Sequence, residues 1–172
     1  PVEFDLDPRM PLLFALREAM NLTGTKNCGG GTACVGTCMV MVDGTALRSC
    51  RITLAEAEGR FITTIEGLSE NRSHPMQQAM VAEQAIQSGF NTASIVIAGA
   101  ALLERNANPS EEEIVEALDG IYCRCGTYPR LIRTVQRASR IMLRKETVSA
   151  APAPDISAQD AAKSVPALIA PA

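Results

Sequence analysis

Two hydrophobic periods divide this chain, a three- and four-residue step that marks helices and an alternation that marks strands. Leu12, Leu13, Leu16 and Met20 keep helical spacing behind Pro11, a residue suited to a first turn because no amide hydrogen is needed there, and predict a helix over 9–20. Met39-Val40-Met41-Val42, Asp43-Gly44 and Thr45-Ala46-Leu47-Arg48-Ser49 predict a hairpin, since Asp-Gly favours the tight turn that matches strand twist, with Cys50 closing its second strand. A further strand is expected over 61–65. From His74-Pro75 the period turns helical through Met76, Met80, Val81 and Ile86, and residues 93–103 form an almost wholly apolar second helix expected at the centre of its group. Asn108-Pro109 stops that helix. Ser110-Glu111-Glu112-Glu113 reads as a capping box opening a third helix to Leu118, and Pro129 opens a fourth through about residue 145.

A small sheet packed on one helix, followed by four helices, is an α+β pattern. Residues 1–72 are expected as one domain and 73–148 as a four-helix bundle. Residues 149–172, rich in Ala and Pro and without a sustained period, are expected as an extended tail, because such a segment buries too little apolar surface to offset its chain entropy. On the last helix Arg130, Arg133, Arg137, Arg140 and Arg144 fall on one face, opposite Leu131, Val135, Ala138 and Met142. A solvated face is the first reading of that stripe and a docking surface the second.

A formal charge of −3 and a pI near 5.2 give nucleic acid and anionic lipid nothing to neutralise, and set both aside as partners. No apolar run approaches the roughly 18 residues of a membrane span, and Pro1-Val2-Glu3-Phe4 has no basic segment leading into an apolar core. Compartment stays open between cytoplasm and periplasm. The only histidine, His74, stands before a proline at a helix start and reads as a capping or packing residue rather than a ligand or base.

The chemistry lies in the cysteines. Residues 26–50, KNCGGGTACVGTCMVMVDGTALRSC, hold Cys28, Cys34, Cys38 and Cys50, and Cys123 and Cys125 follow far downstream. Thiols crowded among glycines fit poorly with disulfides spread across loops as staples. Soft thiolates on a loop that can wrap a metal and aim backbone amides at it suit a [2Fe-2S] cluster, with the fourth ligand arriving from a separate element. Zinc takes the same donors but is usually held by two short knuckles well separated in sequence, whereas here three ligands share one loop. The cluster is therefore the first reading, zinc the second, and disulfides or unliganded thiols the third.

The segments LTGTK, CMVMVDGTALRSC, HPMQQAMVAEQAIQSG, NPSEEEIVEAL and YCRCGTYPRLI, in this order over residues 1–145, resemble the small iron–sulfur subunit of molybdenum hydroxylases, the xanthine dehydrogenase, aldehyde oxidoreductase and isoquinoline oxidoreductase family. The resemblance implies a plant-ferredoxin-like β-grasp domain with one [2Fe-2S] cluster on Cys28, Cys34, Cys38 and Cys50, then a helical domain with a second. It also implies a large partner subunit that carries molybdopterin and hydroxylates an aldehyde or N-heterocycle. Electrons would leave molybdenum singly, through the helical-domain cluster and then the ferredoxin-like one. Gln87 matches a glutamine close to the pterin, with helix capping or packing as its other reading. A cytochrome or flavin subunit would accept the electrons. The rival class is a non-redox zinc-binding or assembly subunit.

Three features depart from that family. A first strand expected before Val2 is missing, which truncation would explain. The family spacing Cys-x4-Cys-x2-Cys is one residue longer in each interval here, while the eleven residues between Cys38 and Cys50 are kept. For the second cluster, Ser88 and Asn91 stand where the family has a Cys-x2-Cys pair, leaving Cys123 and Cys125 as half a ligand set. That cluster is either absent or unusual in its coordination, and in a working molybdenum hydroxylase, where it would lie nearest molybdenum, its presence is the first expectation.

Overall fold

The structure, a computed structural model, describes residues 1–3, 5–29 and 31–148, so the expected tail over 149–172 lies outside the described residues. The fold is α+β. A three-stranded antiparallel sheet carries helices on both faces, with α1 (Leu12–Phe14) on one side and α4 (Thr92–Arg105) on the other.

Strand β1 (Met39–Val42) is central, pairing with β2 (Thr45–Arg48) and with the short β3 (Ile62–Thr63). The hairpin turn falls at Asp43-Gly44, with φ of 49° and 80°, the mirror-image turn that strand twist favours. Successive side chains of β1 face opposite ways. Val40 and Val42 meet Leu12 and Leu16, while Met39 and Met41 join the core formed by the later helices.

Helix α1 (Leu12–Phe14) is continued by a π-helical turn (Ala15–Ala19). It is shorter than the predicted 9–20 because Pro11 acts as its N-cap in an extended conformation and pairs with Thr53: Leu12 N–H donates to Ile52 O (2.8 Å) and Leu54 N–H to Met10 O (2.9 Å). The pairing partner leads into a helix that the periodicity does not reveal, α2 (Leu54–Ala57), opened by a capping box between Thr53 and Glu56. Cys50 does not close β2. It lies in a separate 3-10 turn, Ser49–Arg51.

Helices α3 (Pro75–Ala82), α4 (Thr92–Arg105), α5 (Glu111–Leu118) and α6 (Tyr128–Met142) pack on one another, with α4 in the middle and buried from Ser94 to Leu103. Met76 and Met80 of α3 are buried there, but Val81 and Ile86 are exposed: α3 stops at Ala82, so Ile86 falls outside its periodic face. The predicted cap of α5 is present in full, Ser110 receiving Glu113 N–H while the Glu113 carboxylate receives Ser110 N–H. His74 caps α3, its Nδ1 accepting from Met76 N–H at 3.2 Å, and burial lowers its pKa. Most of the arginine stripe on α6 is engaged within the chain. Arg133 and Arg137 pair with Glu83, Arg137 and Arg140 with Glu146, and Arg130 donates to Gln84 O.

Candidate metal centre

The loop from Lys26 to Cys38 is closed at its base by Lys26 N–H donating to Thr37 O at 3.0 Å. Within it Cys28 Sγ lies 2.8 Å from Cys34 Sγ, and Cys34 Sγ 3.4 Å from Cys38 Sγ. These three sulfurs fall within 4.8 Å of one another. Cys50, arriving on the 3-10 turn after β2, lies beside Cys34 and Cys38 but outside that set of three. Leu13 of α1 is buried in one cluster with Cys34 and Cys38, against which Cys28 and Cys50 pack, so one helix serves the sheet through Leu12 and the thiols through Leu13. Ser49 fixes the spacing between loop and turn, because its N–H and hydroxyl both donate to Cys38 O, at 3.0 and 2.8 Å.

All six cysteines carry thiols rather than disulfides. Burial is the main cause pushing the Cys34 and Cys38 thiols up from their ordinary pKa; Cys28 and Cys50 add to it at Cys34, and Cys34 and Cys50 at Cys38. A bare thiolate is thus disfavoured in this nest, and a bound cation would supply the charge that lets the protons leave. Two further atoms fit an iron–sulfur group: Thr25 Oγ1 and Thr37 Oγ1 are buried and lack a hydrogen-bond partner among the described residues. Thr37 immediately precedes Cys38. A buried hydroxyl with no acceptor is costly, and cluster sulfur is an acceptor for such donors. The thiols are soft, close and convergent, so the residues present fit a [2Fe-2S] group.

The second set of predicted residues gathers at another place. Gln87, Ser88, Asn91, Cys123, Cys125 and Thr127 line one small recess between the segment before α4 and the loop before α6. Cys123 and Ser88 both hydrogen-bond the Cys125 thiol and lower its pKa, Cys123 more strongly, while burial raises that of Cys123. The Asn91 amide nitrogen is already engaged. Only 7% exposed, the residue donates from Nδ2 to Tyr122 O at 2.6 Å. Gln87 is exposed on the rim. Two thiols, a hydroxyl and an amide form a harder, less charged donor set than four thiolates, and they fit a [2Fe-2S] group poorly.

The two places touch. Tyr122 N–H donates to Val35 O at 3.0 Å, and Arg48 Nη2 donates to Gly120 O at 2.9 Å. Gly36, at φ 82°, presses so closely on Gly120 and Ile121 that a Cβ there would collide with the Gly120 carbonyl oxygen. The sequence pattern singles out the cysteines but not Leu13, Ser49, Thr25 or Thr37. For Ser49 and Thr37 the available signal is adjacency, a hydroxyl residue directly before a cysteine in each case.

Residues 64–136, a span that includes the recess, match a domain family described as a [2Fe-2S] binding domain. Over 141 residues the chain is 46% identical to one subunit of the nicotinate dehydrogenase of Pseudomonas putida, covering 81% of this chain and 88% of that protein. It is 44% identical to the alpha chain of isoquinoline 1-oxidoreductase from Brevundimonas diminuta, over 76% of this chain and 85% of that one. Among solved structures, quinoline 2-oxidoreductase from Pseudomonas putida 86 superposes with a TM-score of 0.71 at 35% identity, covering 83% of this chain and 89% of that one. The aldehyde oxidoreductase of Desulfovibrio desulfuricans gives a TM-score of 0.76 at 34% identity, with 83% of this chain matching 16% of that much longer one.

Proposed function

This chain belongs to the family of small iron–sulfur subunits of molybdenum hydroxylases, and from that premise we propose that it holds its [2Fe-2S] cluster on Cys28, Cys34, Cys38 and Cys50 and serves an enzyme that oxidises N-heteroaromatic compounds. Its role is electron transfer. The observation that carries the ligand assignment is the convergence of the Cys28, Cys34 and Cys38 thiols on one loop, with Cys50 from a separate element packed against the same cluster beside Leu13. A [2Fe-2S] cluster supplies a one-electron store when bound. The chain's own residues hold the sulfurs, exclude water through Leu13, and present buried hydroxyl donors from Thr25 and Thr37.

A partner subunit carrying molybdopterin performs the substrate chemistry in this reading. N-heteroaromatic substrates are favoured over aldehydes because nicotinate and isoquinoline, which occur in the names of the relatives above, are both of that class, as is nicotine in the small subunit of nicotine 6-hydroxylase at 40% identity. The aldehyde oxidases of rodents match at 33 to 37% identity, and only across 11% of their length. Residues 1–72 are read as a ferredoxin-like β-grasp unit and 73–148 as a four-helix unit, with the sheet's Met41 face packed against α4 joining them. Gln87, on the recess rim, is read as the contact to the partner's pterin. A cytochrome or flavin subunit completes the path by accepting the electrons.

Anaerobic mixing of the intact complex with a panel of pyridine and quinoline compounds tests this reading. Bleaching of the cluster's visible absorption in step with product formation is expected. Product formed with the absorption unchanged would contradict it, as would zinc in place of iron in the purified complex.

A further inference from the structure

The recess at Cys123 and Cys125 differs in kind from the thiol nest. In the nest every donor is a thiol, and at the base of the loop that carries it the buried hydroxyls of Thr25 and Thr37 lack partners among the described residues. In the recess the non-thiol positions are already engaged. Ser88 Oγ accepts from Phe90 N–H at 3.3 Å, and Ser88 also bonds Cys125. Asn91 spends an amide hydrogen on the Tyr122 carbonyl at 2.6 Å, immediately before Cys123. Tyr122 in turn donates its N–H to Val35 O, and Cys123 N–H donates to the phenol oxygen of Tyr128 at 2.9 Å. The loop is therefore held on three sides by hydrogen bonds that require no metal.

The chemistry of the donors points the same way. Neutral amide oxygen and un-ionised hydroxyl are hard, weak donors to iron, and neither supplies the negative charge with which thiolates offset the cluster's iron.

We infer that this subunit carries a single [2Fe-2S] cluster, and that the Asn91–Tyr122 hydrogen bond fastens the Cys123–Cys125 loop to the start of α4 where the family resemblance implies a second cluster. The inference rests on the electron-transfer reading above and narrows it, because the second cluster is then no part of the path within this chain. Asn91 is a positioning residue. Its amide bridges two segments that a metal centre would otherwise tie together.

Iron and acid-labile sulfide per chain, measured on the complex purified without oxygen, test this directly. About two irons and two sulfides are expected, and the same content in the Cys123→Ser/Cys125→Ser variant. About four irons in the unaltered complex, or loss of half the iron in that variant, would overturn the inference. Absence of iron altogether would overturn the electron-transfer reading instead. The Ser88→Cys/Asn91→Cys variant is expected to gain about two irons; failure to gain any would overturn the assignment of the deficit to those two side chains. Asn91→Ala is expected to keep its iron while the amides of residues 120–125 exchange faster with solvent, and unchanged exchange there would remove Asn91's fastening role.

Discussion

The main-chain N–H of Tyr122 donates to the carbonyl oxygen of Val35 at 3.0 Å, which ties the loop of Cys123 and Cys125 to the loop of Cys34 and Cys38 by one backbone bond. Gly36 makes the approach possible. Its φ of 82° is unfavourable for any residue with a Cβ, and a Cβ would also strike the Gly120 carbonyl oxygen, which belongs to backbone and yields little. Gly36→Ala is therefore expected to destabilise the chain by more than the ~1–2 kcal/mol of the conformation alone. Urea unfolding checks the stability, and iron content checks whether the thiol nest opens with the junction; a loss below about 1 kcal/mol would show that the junction gives way freely.

Thr37 offers a second test, in which stability and redox behaviour separate. Its hydroxyl is buried without a partner among the described residues and lies one residue before Cys38. Thr37→Val removes a donor that finds no acceptor in the metal-free protein, so the apo chain is expected to be unchanged or slightly more stable. In the loaded protein the same change is expected to lower the cluster's reduction potential, since hydrogen bonds to cluster sulfur favour the more negative, reduced state. A redox titration of wild type and variant measures this. Equal potentials would mean that the hydroxyl donates elsewhere.

His74 carries a pH dependence of defined sign. Burial lowers its pKa from the ordinary 6.5 while Nδ1 accepts from Met76 N–H, so the folded chain favours the neutral ring. The unfolded chain then binds more protons, and the contribution is complete above pH 6.5 and lost as pH falls through the folded pKa. His74→Asn keeps a capping side chain without the titration. Wild type is expected to lose more melting temperature than the variant between neutral pH and about pH 5; parallel losses would exclude His74 as the source.

Local signals are legible in the sequence where they are self-contained. Asp43-Gly44 announces the hairpin turn and Ser110 with Glu113 announces α5, because each feature is decided within four residues. The box at Thr53 and Glu56 has the same form, but only four helical residues follow it, too few for a period to register. Ile86 has the spacing of a core residue and is exposed, since the run of apolar residues outlasts the helix that would have aimed it inward, whereas Val81 lies within α3 on its exposed side. The cysteines are legible as a set, whereas Leu13 above them and Ser49 between them depend on how α1 and the 3-10 turn meet in space. The arginine stripe of α6 is visible as a face, but its carboxylate partners Glu83 and Glu146 lie on other segments.

Electron paramagnetic resonance on the anaerobically reduced complex tests the central claim most directly. A spin-half signal typical of a reduced [2Fe-2S] cluster is predicted, integrating to about one spin per chain. It should persist in Cys123→Ser/Cys125→Ser and disappear in Cys34→Ser/Cys38→Ser. A signal that survives loss of Cys34 and Cys38, or an unaltered complex that contains zinc and gives no signal, would contradict the account.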